Sequence, residues 1–254
     1  MLIDTHAHLY VKEFSNDRLE MVERAKAAGV SKIFLPNIDV DTIPQMKELV
    51  DLDRILYPMI GLHPCSVKSE FENDLKILKS ELDTSTYYGI GETGIDLYWD
   101  KTTLDIQIAA LKVQCDWALE YNLPIILHTR NATSVVIDLL EKLPARPSKG
   151  IFHCFGGTID EINRINELGD YCFGIGGVIT FKNGGLFEMI PHIPMEKLVL
   201  ETDSPYLAPA PYRGKRNESS YLKLIVDKLA ESLQLSVEGV TELTTSNANR
   251  IFTN

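Results

Sequence analysis

Histidines and an aspartate alternate near the start of the chain, in the pentapeptide DTHAH. Side chains at every second position of a β-strand point to the same side, so Asp4, His6 and His8 can point together. Two imidazoles placed in this way can chelate a metal ion, and neutral imidazole suits zinc, manganese or iron better than magnesium. An isolated His-x-His pair also occurs as solvated or core-capping histidines, so this motif alone leaves both interpretations open.

Polar residues of the same kind follow other short apolar runs. The sequence predicts eight strands, at Leu2–Thr5, Lys32–Pro36, Leu56–Gly61, Tyr87–Gly91, Pro124–Leu127, Gly150–Phe152, Tyr171–Gly174 and Leu198–Leu200. Residues suited to metal binding or proton transfer come directly after six of these strands: His6, His8, His63, Glu92, His128, His153 and Asp203. Chemistry is therefore expected where the strands end.

Amphipathic segments separate the predicted strands. One is expected from Ser15, as its N-cap, to Gly29, and another begins near Leu104 and ends at Asn122. The chain after about residue 218 also has a helical pattern. This alternation predicts an α/β fold, a (β/α)8 TIM barrel with extra C-terminal helices, formed by residues 1–254 as a single domain. A doubly wound open sheet is the alternative architecture.

A barrel would bring all of the strand ends to one face, where active sites of this fold are built. Glu92 lies between flanking glycines, and its two carboxylate oxygens can bridge two metal ions. Asp203 can bind a metal ion and accept a proton from a bound water. Cys154 is expected to face the surrounding helices, because its neighbour His153 faces inward.

The segment from Gly89 to Gly94 has the pattern G-x-G-x-x-G, which supports a rival interpretation. A nicotinamide-dependent oxidoreductase would need a helix that begins on those glycines and an acidic residue about twenty positions later. Asp116 is at roughly that distance, but the helical pattern begins only near Thr102. The motif is therefore weak evidence for a dinucleotide site.

Composition narrows the class of protein. With 25 Lys and Arg against 36 Asp and Glu, the net charge is −11, which disfavours broad adhesion to nucleic acid or anionic lipid. The four cysteines form no C-x-x-C pair, and neither a membrane span nor a secretory signal is apparent. We therefore expect a cytoplasmic globular protein without membrane contact or an obligate protein partner.

Taken in order, the motifs resemble those of the TatD family of metal-dependent deoxyribonucleases, a branch of the amidohydrolase superfamily of TIM barrels. They are DTHAH, GLHP, GETGID, LPIILHTR, HCFGG, LETDSPYLAP, YRGKRNE and TSNANRIF, and they span nearly the whole chain. The chain departs from the family pattern at Gly156, where serine is usual, at Ser219, where proline is usual, and at Cys65, where an aromatic residue or histidine is common.

The resemblance implies a hydrolase with two divalent ions, which could be zinc, manganese or magnesium. It implies that one ion is held by His6, His8, Glu92 and Asp203, and the second by Glu92, His128 and His153. In this interpretation Asp203 takes a proton from the attacking water, and His63 contacts the phosphate or its leaving oxygen, although His63 could also be a plain strand-end histidine.

Basic residues in the loops after the fifth and eighth strands could neutralise phosphates of a substrate, or could simply be solvated: Arg130, Arg213, Lys215 and Arg216. The resemblance implies DNA as the substrate, with exonuclease action on single-stranded or frayed ends. The alternative within the same fold is an amide or ester hydrolase such as a D-aminoacyl-tRNA deacylase. A metal-binding protein without turnover is a further alternative.

Overall fold

The structure is a computed structural model and describes residues 1–253. Within these residues eight parallel strands follow one another around the molecule: β1 (Leu2–Asp4), β2 (Val30–Pro36), β3 (Leu56–Met59), β4 (Ile90–Gly94), β5 (Ile125–His128), β6 (Lys149–Phe152), β7 (Asp170–Ile175) and β8 (Leu198–Leu200). The first three strands pair in the order β1-β2-β3, and the other five in the order β4-β5-β6-β7-β8.

Two parallel bridges join these sheets into a ring. Beyond β3, Ile60 pairs with Ile90, and the Ile60 carbonyl accepts a hydrogen bond of 2.7 Å from the Gly91 amide. Beyond β1, Ala7 pairs with Ser204, and the His8 amide donates to the Ser204 carbonyl at 2.7 Å. The fold is thus a TIM-barrel-like (β/α)8 arrangement, which confirms the predicted fold class and disagrees with an open doubly wound sheet.

Helices alternate with the strands and form the outer layer. In the described part of the chain they are α1 (Arg18–Ala27), α2 (Ile43–Val50), α3 (Phe71–Thr84), α4 (Leu104–Glu120), α5 (Thr133–Lys142), α6 (Ile159–Leu168), α7 (Leu186–Met189), α8 (Leu222–Leu233) and α9 (Val237–Phe252), with short 3-10 turns between several of them. None of the helices within residues 1–253 is both long and apolar enough to cross a membrane.

The barrel interior is filled by one apolar side chain from most strands, including Ile3, Phe34, Ile126 and Ile151. The C-terminal helix α9 packs on this cluster, and its Phe252 ring stacks on Phe34 with ring centroids 3.5 Å apart. Alternate residues of the same strands face the helices and belong to the larger outer cluster. One end of the barrel is therefore packed with apolar side chains, and the site lies at the other end.

Two local predictions were wrong in detail. Helix α1 begins at Arg18 with Asp17 as its N-cap, because Lys12–Phe14 forms a 3-10 turn that ends at Ser15. Strand β4 runs over Ile90–Gly94, which is three residues later than expected. The glycine motif therefore leads into and through a strand, and because α4 begins only at Leu104, no helix begins on these glycines to receive a pyrophosphate.

Candidate active site

The carboxyl ends of the strands place the predicted histidines at the mouth of the barrel. Ile126 and Ile151 point into the barrel interior, and His128 and His153 lie two positions further along the chain, so strand alternation turns them inward as well. Asp203 follows β8 after a short extension and joins them in the same cleft. A buried apolar layer thus supports a layer of ionisable side chains.

A first donor group consists of His6, His8, Glu92 and Asp203. The Nε2 atoms of His6 and His8 lie 3.2 Å apart, and they lie 3.1 and 3.3 Å from Oε2 of Glu92. Oδ1 of Asp203 is 3.9 Å from Nε2 of His6 and 3.6 Å from Nε2 of His8. Ligands at about 2.1 Å from a tetrahedral ion lie about 3.4 Å apart, so one cation fits among these four atoms.

A second donor group consists of Glu92, His128 and His153. Oε1 of Glu92 lies 2.7 Å from Nδ1 of His128 and 3.7 Å from Nε2 of His153. Glu92 therefore turns one carboxylate oxygen to each donor group, and its side chain is only 3% exposed. This is the arrangement that a carboxylate needs to bridge two cations.

Hydrogen bonds on the outer side of the rings determine which nitrogen carries the proton. Nδ1 of His8 lies 3.1 Å from the hydroxyl of Tyr10, and that hydroxyl donates its own proton to the Pro36 carbonyl at 2.6 Å. The hydroxyl must therefore accept from Nδ1 of His8, which leaves a lone pair on Nε2, directed at the first donor group.

Contacts on the outer side also border the rings of the second donor group. Oδ2 of Asp96 accepts from Nε2 of His128 at 2.8 Å, and Nδ1 of the same ring lies 2.7 Å from Oε1 of Glu92. Oε1 of Glu201 lies 3.1 Å from Nδ1 of His153, whose Nε2 faces Glu92. Once deprotonated, Nδ1 of His128 and Nε2 of His153 would direct lone pairs to the place where a cation would sit.

His63 has the opposite orientation of donor and acceptor. Its Nδ1 accepts a hydrogen bond of 3.1 Å from the backbone amide of Cys65, so the proton of the neutral ring is on Nε2. That Nε2 lies 3.5 Å from Oε1 of Glu92 and faces the cleft. Burial lowers the pKa of His63, which favours the neutral ring. His63 thus presents an N–H donor to the cleft.

The electrostatics of the site favour added positive charge. Burial acts to raise the pKa of Glu92, but the surrounding histidines outweigh it and lower that pKa well below its usual range. Burial also acts against protonation of His153, but Glu201 and Glu92 raise its pKa to about 10. Burial raises the pKa of Asp203 to about 6. A divalent cation would supply the same positive charge and displace the protons.

Both donor groups lie in a cleft of about 1250 Å³. Its wall includes three of the predicted basic residues, Arg130, Arg213 and Lys215. The Arg213 guanidinium lies 4.1 Å from the centre of the Phe181 ring, and Arg130 lies over an aromatic ring in the same way. A carboxylate-rich site is therefore bordered by fixed cations, as an anionic substrate requires.

A family model described as TatD related DNase matches residues 3–253. The chain belongs to this family.

Relatives and solved structures agree with that membership. The chain is 39% identical to the uncharacterized metal-dependent hydrolase YabD of Bacillus subtilis, and the match covers 99% of each protein. It is 31% identical to the 3'-5' ssDNA/RNA exonuclease TatD of Edwardsiella piscicida, with 99% of each covered. The crystal structure of the TatD homologue YjjV of Escherichia coli superposes with a TM-score of 0.93 at 28% identity, over 100% of this chain and 98% of that one.

The donor chemistry of this TatD-family chain fits divalent cations. Histidine nitrogens and carboxylate oxygens are the ligands that zinc and manganese accept, and each donor group joins imidazoles to at least one carboxylate. The ligand atoms of His6, His8 and Asp203 lie within 4.8 Å of one another. His8 in the first group and His128 in the second also bind an outer partner through their other ring nitrogen.

Arg216 was predicted to bind substrate, but the structure brings it to another partner. Its guanidinium binds both carboxylate oxygens of Asp17 at 2.7 Å and lies 4.5 Å from the centre of the Phe14 ring. Arg216 is also absent from the residues that line the cleft, whereas Arg213 and Lys215 are among them. In this TatD-family chain, Arg216 thus connects the loop after β8 to the start of α1.

Two expected orientations were also wrong. Asp4 does not point into the mouth of the barrel, because its carboxylate is fully buried and accepts from Thr202 and Ser219. Burial raises the pKa of Asp4 to about 7 despite these hydrogen bonds. Cys154 lines the cleft because the chain leaves β6 at Phe152, and φ is 46° at Cys154, which ends the strand alternation.

Sequence reasoning missed the residues behind the ligands: Tyr10, Asp96 and Glu201. Asp96 and Glu201 are acidic residues that come directly after β4 and β8, so the rule that identified Glu92 and Asp203 could have found them. Tyr10 gave no comparable signal, since its pairing with His8 depends on where the chain turns after β1.

Proposed function

We propose that the protein is a divalent-metal-dependent deoxyribonuclease that hydrolyses phosphodiester bonds at the ends of single-stranded DNA. The observation that carries this proposal is the position of Glu92 between two donor groups in a cleft with a cationic wall. Two adjacent cations suit displacement at phosphorus, because attacking and leaving oxygens both need stabilisation. The name of the Edwardsiella piscicida relative, an exonuclease for single-stranded DNA and RNA, supports the choice of substrate.

His6, His8, Glu92 and Asp203 would hold one ion, and Glu92, His128 and His153 would hold the other. When bound, such a pair of ions lowers the pKa of a water molecule and stabilises charge on phosphoryl oxygens. The protein's part is to fix the ligand atoms, and Tyr10 and Asp96 do so by hydrogen bonding to the outer nitrogens of His8 and His128. The Glu201 carboxylate lies 3.1 Å from the outer nitrogen of His153.

Asp203 is the proposed general base. Its side chain is 15% exposed, whereas that of Glu92 is 3% exposed. Of the two carboxylates in the first donor group, Asp203 is therefore the more accessible to a water molecule in the cleft. The oxygen of a water attacks phosphorus, its proton passes to Asp203, and the bond between phosphorus and the leaving oxygen breaks.

His63 is the proposed donor to the phosphate or to the leaving oxygen. Its Nε2 carries the proton and faces the cleft, because Cys65 occupies Nδ1. A hydrogen bond from that N–H would stabilise the negative charge that develops on the leaving oxygen, which takes up a proton from water as its bond to phosphorus breaks. Arg130, Arg213 and Lys215 would bind neighbouring phosphates of the strand.

A substrate panel tests the proposal. The metal-free protein is loaded separately with Mg²⁺, Mn²⁺ or Zn²⁺ and offered single-stranded DNA, duplex DNA, RNA, a D-aminoacyl-tRNA and simple amides. We expect metal-dependent release of nucleotides, fastest from single-stranded DNA, and no release after chelation or from a Glu92→Ala variant. Hydrolysis of the D-aminoacyl ester or an amide, with no phosphodiester cleaved under any metal, would contradict the proposal.

A further inference from the structure

Two large aromatic side chains project from the loop between β4 and α4 without packing into the core. Trp99 is 71% exposed and Tyr98 is 53% exposed, whereas the other tryptophan of the chain, Trp117, is only 5% exposed. Trp99 lines the cleft that contains both donor groups. The Trp99 ring meets the Tyr98 ring edge to face, with centroids 4.9 Å apart. An indole that remains so exposed contributes little to folding and leaves much of its surface available to a ligand.

The loop backbone that carries these rings is held by the same carboxylate that binds a proposed metal ligand. Oδ1 of Asp96 accepts from the amides of Tyr98 and Trp99 at 2.9 and 3.1 Å, while Oδ2 accepts from His128 at 2.8 Å. Asp96 is 2% exposed and its own amide donates to the buried Gln107 at 2.8 Å. The loop is thus anchored to the site by a short, buried connection.

A cation completes this part of the wall. The Arg130 guanidinium lies 3.7 Å from the centre of the Tyr98 ring and 5.5 Å from that of Trp99. Stacking on an aromatic ring restrains an arginine while its N–H groups remain free to bind an anion. One side of the cleft therefore offers an exposed indole face next to a fixed positive charge.

We propose that Trp99 is a stacking platform for an unpaired base of a single-stranded nucleic acid, with Arg130 beside it to bind an adjacent phosphate. The inference rests on the proposed function and specifies how the substrate is selected. A base and its phosphate match the two neighbouring features, an aromatic face and a guanidinium. Bases in a duplex are already stacked on each other, so this platform selects single strands.

The charge of the chain explains why such a platform matters. With a net charge of −11, the protein attracts a polyanion only through local cations, so phosphate contacts alone give limited affinity. Stacking adds binding free energy that does not depend on the overall charge, and it tolerates any base because every base has an aromatic face. Affinity then depends on bases as well as on phosphates.

Tryptophan fluorescence tests the proposal directly. In the Trp117→Phe variant Trp99 is the one remaining tryptophan, so the emission reports on the proposed platform. The metal-loaded variant is titrated with phosphorothioate oligothymidylate, which resists cleavage, and with an abasic phosphorothioate strand of equal length and charge. We expect strong quenching by the thymidylate and little by the abasic strand. Equal quenching by both strands would overturn the proposal.

Affinity and turnover of a second set of variants separate stacking from a structural role. We expect Trp99→Ala to weaken thymidylate binding by about 5- to 150-fold and to leave abasic binding unchanged, while Trp99→Phe retains most of the affinity. Ile77→Ala serves as the control, because Ile77 is 50% exposed on α3 and does not line the cleft. If Trp99→Ala binds thymidylate as tightly as the parent protein, the platform does not exist.

Failure of this inference differs from failure of the proposed function. If Trp99→Ala and the parent protein hydrolyse thymidylate with the same kcat/KM, the stacking role is wrong and the nuclease assignment stands. If the parent protein cleaves no oligonucleotide with Mg²⁺, Mn²⁺ or Zn²⁺, the nuclease assignment fails, and the fluorescence titration still reports whether Trp99 meets a base.

Discussion

Nε2 of His128 lies 2.8 Å from Oδ2 of Asp96, and this contact fixes the ring so that Nδ1 faces Glu92. Burial acts to lower the pKa of His128, but the hydrogen bonds to Asp96 and Glu92 outweigh it and raise that pKa. Burial likewise opposes ionisation of Asp96, and the hydrogen bonds from His128 and from the loop lower its pKa below the usual range. Asp96 therefore orients His128, a member of the second donor group, from the side of the ring that faces away from Glu92.

Asp96→Asn should weaken metal binding by about 10- to 100-fold, the usual effect of losing an outer partner of a ligand. The asparagine side chain keeps one oxygen, which can accept from the backbone amides of Tyr98 and Trp99. It has no second oxygen to accept from Nε2 of His128. The measurement is titration of metal-free protein with Zn²⁺ against a competing chelator. Asp100→Asn is the control, because Asp100 lies in the same loop and its carboxylate accepts hydrogen bonds from Thr102 and not from a histidine. Equal affinity in Asp96→Asn and the parent would refute a role for this contact.

Gly174 in β7 makes room for Glu201, the residue behind His153. A Cβ at Gly174 would overlap the Glu201 carboxylate, whereas a Cβ at Gly156 would meet nothing within 4 Å. Gly174→Ala should therefore reduce the free energy of unfolding by about 1–3 kcal/mol and also weaken metal binding. Gly156→Ala should change neither by more than about 0.5 kcal/mol. Urea denaturation and metal titration of both variants check this, and identical behaviour of the two variants would disprove it.

Arg213 and Arg216 are close in sequence, yet the structure gives them different partners. Because Arg213 lines the cleft, Arg213→Ala should reduce the slope of log affinity for single-stranded DNA against log salt by about 1. Arg216 pairs with Asp17, so Arg216→Ala should leave that slope unchanged and lower stability by about 1 kcal/mol. Binding titrations of both variants over a salt series measure these slopes. A reduced slope for Arg216→Ala would contradict this division of roles and would support the role in substrate binding that the sequence predicted for Arg216.

Metal affinity should rise with pH. In the metal-free site the pKa of His153 is raised to about 10, so that ring carries a proton near neutrality, and the pKa of His128 is raised despite its burial by hydrogen bonds to Asp96 and Glu92. A metal binds only the deprotonated nitrogen, so each ring must release its proton, and lowering the pH strengthens that competition. Calorimetric titration with Zn²⁺ at about pH 6 and about pH 8, in buffers of different ionisation enthalpy, measures the protons released. Affinity that is independent of pH would contradict these assignments.

The strand ends could be predicted because two sequence signals agree there. Short apolar runs mark the buried strands, and an abrupt ionisable residue after each run marks the mouth of the barrel, as at His128 and His153. The boundary of β4 was misplaced because Gly91 and Gly94 are typical of turns. Both have positive φ, and Gly94 must lack a side chain because the His128 carbonyl lies against it. Only the neighbouring strand explains those glycines.

Pairing over long sequence distances could not be predicted from local patterns. Arg216 lies in a basic run that is typical of phosphate binding, but Asp17, which neutralises it, is 199 positions away. Glu201 and His153 are 48 positions apart and meet only when β6 and β8 lie in one barrel. Residue type and spacing therefore indicated which side chains meet at the strand ends, and the family resemblance implied the ligand set, while the residues behind these side chains required the three-dimensional structure.

The central claim is that Glu92 joins two metal ions, and metal stoichiometry tests it most directly. Three proteins are prepared under the same conditions: the parent, Glu92→Ala and His63→Ala. For each one, bound metal is measured by mass spectrometry and the single-turnover rate is measured on the same preparation. We predict two ions in the parent, fewer than two with loss of activity in Glu92→Ala, and two ions in His63→Ala with a rate lower by about 10²- to 10⁴-fold. Two ions retained in Glu92→Ala would show that another group joins the metals and would contradict the account.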